Sequence, residues 1–78
     1  LGQAAAAANY YRQAIAVRPQ IAELHNNLGN ALNAMGDVDA AAAAYRQALG
    51  IKPNYPKCSN NLAVLLIDAA RYDEAVQT

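Results

Sequence analysis

The chain has 78 residues, with six basic and six acidic side chains and a formal net charge of zero. Its Lys and Arg residues form no run that attracts a phosphate backbone, and no apolar stretch approaches the roughly 20 residues that span a bilayer, so we expect neither nucleic acid nor membrane as a partner. The lone cysteine, Cys58, has no second cysteine for a disulfide and no spaced histidine for a shared metal. We therefore expect a small protein without metal or cofactor, located in the cytoplasm.

The first two predicted helices are bounded by proline and glycine. Residues Ala4 to Val17 are rich in alanine, the best helix former, and Pro19 ends this segment because it lacks an N–H and disfavours helix in the residue before it. The second helix is predicted from Ala22 to Met35, and Gly36 is placed to close it with a left-handed residue. Apolar residues at three- and four-residue spacings form one stripe of this helix: Leu24, Leu28, Ala31, Leu32 and Met35.

Two further helices are predicted in the next part of the chain. Asp39 is the predicted N-cap of the third helix, because its carboxylate can accept from exposed N–H groups. That helix is expected to run to about Ile51 and to stop before Pro53. Pro56 is acceptable in the first turn of the fourth helix, which we expect to end near Ala69.

The sequence repeats itself with a period of 34 residues. Tyr11-Arg12-Gln13-Ala14 returns as Tyr45-Arg46-Gln47-Ala48, and Asn26-Asn27-Leu28 returns as Asn60-Asn61-Leu62 (45 − 11 and 60 − 26). A period of this length is typical of arrays in which each unit buries its apolar face only against its neighbours. We therefore expect function on a surface, and we interpret the chain as a piece of a longer array.

Equivalent positions of the repeat carry different residues at two places. Ala70 occupies the position of Gly36, so the turn there must form without glycine before Asp73 caps a fifth, truncated helix. Gly29 lies inside a helix, where glycine costs about 1 kcal/mol relative to alanine, and its equivalent is Ala63. We interpret both small residues as points where paired helices touch.

The residues between Pro19 and Pro53 match the pattern of a known family. His25, Leu28, Gly29 and Leu32 occupy the spacing W-x2-L-G-x2-Y, and the helix-packing positions are filled by Ala41, Tyr45, Ala48 and Pro53. The chain thus resembles the tetratricopeptide repeat, with His and Leu in place of two aromatics. The resemblance implies an all-α fold in which antiparallel helix pairs stack as a right-handed α-solenoid. It also implies one domain, residues 1–78, with the end of one repeat (1–21), a complete repeat (22–55) and a truncated repeat (56–78).

The sequence contains few residues suited to catalysis. Cys58 and Ser59 are the only residues of their types, and as neighbours on a helix they point in different directions. His25, the single histidine, occupies the tryptophan position of the repeat, so we interpret it as a packing residue. No glycine-rich phosphate loop is present. We expect the chain itself to be non-catalytic.

Asparagine is the most informative polar residue of this chain. Four asparagines fall on the second predicted helix, although asparagine disfavours helix. Asn26, Asn30 and Asn33 lie opposite the leucine stripe at 100° per residue. A carboxamide carries both donors and an acceptor, so it can bind an extended peptide backbone whatever the side chains of that peptide. The predicted peptide-binding groove comprises Glu23, Asn26, Asn27, Asn30, Asn33, Lys57, Asn60, Asn61, Val64 and Ile67.

Several interpretations of this predicted binding module remain open. Asn27 and Asn61 are similar to the asparagine ladder of O-linked N-acetylglucosamine transferases, which implies a substrate-recruiting region of a larger glycosyltransferase. Asn30 and Asn61 also match the asparagines of the carboxylate clamp of co-chaperones, although its basic residues do not follow. Alternatively, the asparagines are solvated surface and the array is a structural or self-assembly spacer. Independently of these alternatives, we expect the isolated chain to self-associate through exposed solenoid ends or to fray at its C-terminal end, with contributions from Leu62, Leu65, Leu66 and Val76.

Overall fold

A computed structural model describes the backbone of residues 2–77 and the side-chain surroundings of residues 2–71. Within that range the chain forms four α-helices: α1 (Gly2–Val17), α2 (Ala22–Ala34), α3 (Val38–Ile51) and α4 (Pro56–Gln77). Helices adjacent in sequence pack together, and α2 also contacts α4. This arrangement confirms the predicted all-α fold of stacked helix pairs. The body measures 45 × 31 × 14 Å, so it is only 14 Å across in its shortest direction.

The turn after α2 forms as the sequence predicts. Gly36 has a φ of 84°, in the left-handed region that glycine enters without a steric penalty. Its N–H donates to the Asn33 carbonyl at 2.9 Å, and the N–H of Asp37 donates to the Leu32 carbonyl at 3.0 Å. These two bonds satisfy carbonyl groups that the end of a helix otherwise leaves without a donor.

The N-cap of α3 is Asp37, which corrects the prediction that Asp39 has this role. Asp37 Oδ1 accepts from the backbone N–H of Ala40 at 3.3 Å. Because Gly36 turns the chain at once, α3 begins at Val38, and the capping residue is the one directly before it. Asp39 lies in the first turn, where its carboxylate still interacts favourably with the positive end of the helix dipole.

The predicted turn near Ala70 does not form, because α4 continues from Pro56 to Gln77. The expectation of a fifth helix capped by Asp73 is therefore wrong. Alanine favours helix and avoids the left-handed conformation that Gly36 adopts, so no residue at this point stops α4. The side chains of Asp73 and Val76 lie outside the described residues.

The tightest packing joins α2 to α3. Tyr45 is 1% exposed, and a Cβ atom at Gly29 would lie 2.5 Å from Tyr45 Cε1. The prediction that Gly29 marks a close helix contact is confirmed, whereas its equivalent Ala63 is exposed and the same prediction fails there. Small side chains of α3 fill much of the remaining core: Ala41, Ala42, Ala44 and Ala48.

The single histidine has a structural position. His25 is buried, and its Nε2–H donates to the Pro19 carbonyl at 2.9 Å, which holds the loop between α1 and α2 against α2. This confirms its interpretation as a packing residue. Within residues 2–77, the helices are too short or too polar for any of them to cross a bilayer.

Candidate functional site

Side chains of α2, α3 and α4 meet in a hydrogen-bonded cluster, here called the amide network: Asn26, Asn30, Tyr45 and Asn61. The hydroxyl of Tyr45 donates to Asn30 Oδ1 at 2.6 Å. Asn61 Nδ2 donates to Asn26 Oδ1 at 3.1 Å and to Asn30 Oδ1 at 3.3 Å. Because three helices contribute to these bonds, the network fixes the amide groups of Asn30 and Asn61 relative to each other.

Asn26 is only 1% exposed, which corrects the expectation that it lies on an open face. Its burial follows from the rotation of α2 about its axis. The stripe that α2 buries runs through Ala22, His25, Asn26, Gly29 and Leu32, whereas Leu24 and Leu28 are half-buried. A carboxamide can occupy such a position when it is hydrogen-bonded, and Asn61 supplies that bond. Asn26 therefore joins helices and is not accessible to a ligand.

The amide network leaves two polar atoms available at the surface. Asn30 Oδ1 accepts two hydrogen bonds, which uses both of its lone pairs, and both bonds of Asn61 are donated by Nδ2. Among the described residues, neither Asn30 Nδ2 nor Asn61 Oδ1 forms a hydrogen bond. Asn30 is exposed and Asn61 is half-buried. One unpaired donor and one unpaired acceptor thus belong to two amide groups that are joined by a hydrogen bond of 3.3 Å where α2 meets α4.

Two amides of the network and three exposed residues of α4 make up a surface that we call the amide face: Asn30, Asn60, Asn61, Val64 and Ile67. Val64 is 56% exposed and Ile67 is 52% exposed, and they lie one helical turn apart on α4. Asn60 lies one turn before Val64. Asn33 is exposed one turn after Asn30 and forms no hydrogen bond of the network. The amide face contains all of the predicted groove residues except Glu23, Asn26, Asn27, Asn33 and Lys57.

The charged residues of the predicted groove lie towards the beginning of α2 and α4. Glu23 pairs with Lys52, with 3.6 Å between its Oε2 and Lys52 Nζ. Lys52 Nζ also lies 4.7 Å from the centroid of the Tyr55 ring. Since both partners of the ion pair are exposed, the pair contributes little to stability. Lys57 is exposed in the first turn of α4.

Asn27 lies on a different surface from Asn26. A groove of about 320 Å³ runs between α1 and α2, and it is lined by Gln3, Ala4, Ala7, Tyr11, Asn27, Asn30, Ala31 and Ala34. The predicted binding residues did not include those of α1. The recurrence of Tyr11 as Tyr45 was the available signal, because it shows that α1 and α3 are equivalent helices.

A second, wider depression lies on the outer side of α3, and the sequence analysis predicted no site there. It has a volume of about 600 Å³ and is lined by Gln20, Ala43, Arg46, Gln47, Gly50 and Ile51. Arg46 is its only charged lining residue. No buried polar side chain lines it.

The thiol of Cys58 and the hydroxyl of Tyr45 both form hydrogen bonds inside the fold. Cys58 is buried, its thiol donates to the Tyr45 carbonyl at 3.4 Å, and burial raises the pKa of the thiol, which keeps it protonated at neutral pH. Burial likewise raises the pKa of the Tyr45 hydroxyl, with a smaller contribution from Cys58. In residues 2–71, no group of three His, Cys, Asp or Glu side chains is arranged to hold a metal ion.

Comparison with known proteins gives one result at the level of the family. A family model described as tetratricopeptide repeat matches residues 1–56, which include α1, α2 and α3. A search of curated proteins found no match to this chain.

Proposed function

The chain belongs to the tetratricopeptide repeat family, and from this membership we propose that it binds an extended segment of a partner protein on the amide face. Repeats of this family generally mediate contacts between proteins and are generally non-catalytic. The observation that carries the proposal is the pair of polar atoms, Asn30 Nδ2 and Asn61 Oδ1, that the amide network leaves without partners. Their amide groups are already joined by a bond of 3.3 Å.

A peptide unit supplies the complementary pair of groups, one C=O and one N–H. In the proposed complex, Asn30 Nδ2 donates to a carbonyl of the ligand, and Asn61 Oδ1 accepts from a ligand N–H. These bonds involve only the ligand backbone, so recognition tolerates different ligand sequences. The amide of Asn30 is held by Tyr45, and the amide of Asn61 is held by Asn26. Because both amides are already fixed, they lose little conformational freedom on binding.

The apolar part of the amide face adds one side-chain contact. Alternate side chains of an extended ligand point to the same side of its backbone. One of them would pack against Val64 and Ile67, which are exposed on α4. Full burial of a medium-sized apolar side chain contributes about 1.5–3 kcal/mol, so an apolar residue at this ligand position is expected to strengthen binding.

A structural role for the asparagines is the second candidate, because Asn26 is buried and the amide network joins α2, α3 and α4. In that case the amides stabilise the stack of helices and bind no ligand. The two candidates differ in the role of Asn30 Nδ2, since this atom takes no part in the network. An experiment on this atom separates them.

The deciding variant is Asn30→Asp, with Asn33→Asp as its control. Asn30→Asp retains an oxygen that accepts from Tyr45 and Asn61 but replaces the Nδ2 donor with a second oxygen. Asn33→Asp adds the same charge one turn away without altering the network. We expect Asn30→Asp to weaken binding about tenfold or more, by loss of a hydrogen bond and repulsion of the ligand carbonyl. Asn33→Asp should change it less than about threefold.

The probe is an unstructured peptide selected from a random library on the wild-type chain, and its affinity is measured by fluorescence anisotropy. N-methylation of one peptide unit at a time tests backbone recognition, because it removes an N–H and leaves the ligand side chains unchanged. One sensitive position is expected. If Asn30→Asp and Asn33→Asp bind equally well, or if no library peptide binds, the amide face is not a binding site and the structural role stands.

A further inference from the structure

The wider depression on the outer side of α3 is formed by the second half of that helix and by the loop between α1 and α2. Ala43, Arg46 and Gly50 are three and four residues apart, so they lie on one face of α3, and Gln20 comes from the loop. Described helices precede and follow both of these segments. None of the lining residues belongs to the amide network or to the amide face, so the depression is a separate surface.

The fold does not require glycine at position 50. A Cβ atom there would meet nothing within 4 Å, whereas Gly29 has no room for one and Gly36 has a φ of 84°. The equivalent of Gly50 one repeat earlier is Ala16 (50 − 34), and alanine is the better helix former. Gly50 thus weakens α3 and leaves open space in the wall of the depression. Close approach of a ligand to the backbone is a use of glycine that accounts for this.

Arg46 is the only charged residue that lines the depression, and it has no carboxylate partner among the described residues. Its own helix supplies none, because no acidic residue lies three or four positions away: these positions hold Ala42, Ala43, Leu49 and Gly50. A guanidinium presents its donors in a planar fork that matches the two oxygens of a carboxylate. Phosphate groups carry more charge and are typically bound by clusters of arginines. A single arginine therefore favours a carboxylate.

Two glutamines of the depression add neutral donors. Gln20 and Gln47 are both exposed, and neither side chain forms a hydrogen bond within the part of the chain that the structure describes. Gln20 follows Pro19, whose carbonyl accepts from His25 at 2.9 Å, so the loop that carries Gln20 is held against α2. A carboxamide can donate to carboxylate lone pairs that the guanidinium does not use.

The shape of the depression favours a protein over a small molecule as the ligand. Its volume is about 600 Å³, but all of its lining residues are exposed except Ile51, which is half-buried. Sites for small molecules usually bury most of the surface of the ligand. A shallow surface with one positive charge instead fits a protein segment that carries a negative charge.

We propose that this depression binds an acidic side chain of a partner protein. The Asp or Glu carboxylate pairs with Arg46 and accepts from Gln20 or Gln47. Arg46 and Gly50 lie about 6 Å apart along α3, close to the roughly 7 Å between alternate residues of an extended segment. Two residues from the acid, the partner therefore presents an apolar side chain that occupies the space above Gly50, against Ile51. All residues of this site differ from those of the amide face, so each site can be tested without the other.

The test compares the wild-type chain with its Arg46→Gln variant. A library of linear peptides of random sequence is first depleted of peptides that bind the variant and is then selected on the wild-type chain. The remaining peptides depend on Arg46, and we expect them to carry an acidic residue two positions from an apolar one. The affinity of one selected peptide is measured by fluorescence anisotropy, and NMR shift changes at Gln20 and Gly50 locate its site.

Arg46→Gln should weaken binding of that peptide about tenfold or more, by loss of a charge-assisted pair. Arg46→Lys keeps the charge without the planar fork and should cause a smaller loss. Arg12→Gln is the matched control, because it removes the same charge at the equivalent position and does not line the depression. It should change the affinity less than about threefold. Replacing the acidic residue of the peptide by its amide should reproduce the loss and add little to that of Arg46→Gln.

The space above Gly50 is tested by Gly50→Leu, which fills it. We expect about tenfold weaker binding with the fold retained by circular dichroism, because the added Cβ atom meets nothing in the chain. Ala16→Leu is the control at the equivalent position, which is also exposed and does not line the depression. Gly50→Ala should raise the melting temperature, since alanine is the better helix former.

Three results would overturn the proposal. The first is a selection in which no peptide distinguishes the wild-type chain from Arg46→Gln, or in which the selected peptides lack acidic residues. The second is an equal loss of affinity in Arg46→Gln and Arg12→Gln, which would reduce the effect to net charge. The third is unchanged binding to Gly50→Leu, which would move the ligand away from this depression.

Discussion

The helices α2 and α4 hold equivalent positions one repeat apart, yet their surroundings differ. After α2, the left-handed Gly36 turns the chain and α3 folds back, so that Leu32 is 3% exposed. In α4, Ala70 stands at the place of Gly36, the helix continues, and Leu66, the equivalent of Leu32, is 42% exposed. The comparison teaches that the repeat pattern identifies equivalent side chains, whereas their burial depends on which helices pack against them.

The largest expected effect contrasts the two tyrosines of the repeat. Tyr45→Ala removes a fully buried ring and the hydrogen bond to Asn30, and it should lower the free energy of unfolding by about 3–5 kcal/mol. Tyr11→Ala removes a half-buried ring beside an open groove and should lower it by about 1 kcal/mol. Urea unfolding followed by circular dichroism measures both. Equal losses would show that α1 is packed as tightly as α3.

A second contrast concerns the small residues inside the two equivalent helices. Gly29→Val places a branched side chain against the Tyr45 ring and is expected to destabilise the fold by about 1–3 kcal/mol. Ala63→Val makes a similar change on the exposed side of α4, where the effect should stay within about 0.5 kcal/mol. Thermal and urea unfolding measure the stability of both variants. Equal stability of Gly29→Val and Ala63→Val would contradict this expectation.

A third contrast separates two asparagines that occupy the same repeat position. Asn61→Ala leaves the buried Oδ1 of Asn26 without its donor, so the free energy of unfolding should fall by about 1–2 kcal/mol. Asn27→Ala, beside the open groove, should change it by no more than about 0.5 kcal/mol. The double variant Asn26→Ala/Asn61→Ala provides the control. It should be less destabilised than the sum of its single variants, because removing both partners leaves no unpaired group.

The smallest expected effect tests the comparison of α2 with α4 directly. Ala70→Gly restores the glycine of the first repeat and should destabilise the helix by about 1 kcal/mol or less, because glycine is a poor helix former. It should also shorten α4, which NMR Cα shifts report. Ala69→Gly is the matched control, because it introduces glycine one position before the equivalent of Gly36. A helix that still reaches Gln77 in the Ala70→Gly variant would show that glycine alone does not explain the turn after α2.

Much of the fold could be predicted from the sequence, because local residues set the ends of the helices. Pro19 and Pro53 disfavour helix in the residues before them, and Gly36 adopts the left-handed conformation that other residues avoid. The structure ends α1, α2 and α3 next to these three residues. Gly29 was also informative, since a glycine inside a helix has a cost that a close contact explains. In contrast, the predicted turn at Ala70 relied on the repeat alone, with no residue to break the helix.

The candidate site was less predictable because it depends on contacts between distant parts of the chain. The pattern of α2 contains a leucine stripe and an asparagine stripe, and it does not specify how the helix rotates against its neighbours. The burial of Asn26 depends on Asn61, which lies 35 residues further along the chain. The orientation of the Asn30 amide likewise depends on Tyr45 in α3. Sequence spacing identified the asparagines but not which of their atoms remain free.

The buried thiol of Cys58 allows the separation of α4 from α3 to be measured by chemical modification. Cys58 is the single cysteine of the chain, has no exposed surface, and donates from α4 to the carbonyl of Tyr45 in α3. A disulfide reagent reaches the sulfur only when α4 separates from α3, and the raised pKa of the thiol slows any reaction without such separation. When opening and closing are fast relative to modification, the labelling rate divided by that of an unfolded peptide gives the equilibrium constant for detaching α4. The detachment of α4 can thus be measured on the natural sequence, without any mutation.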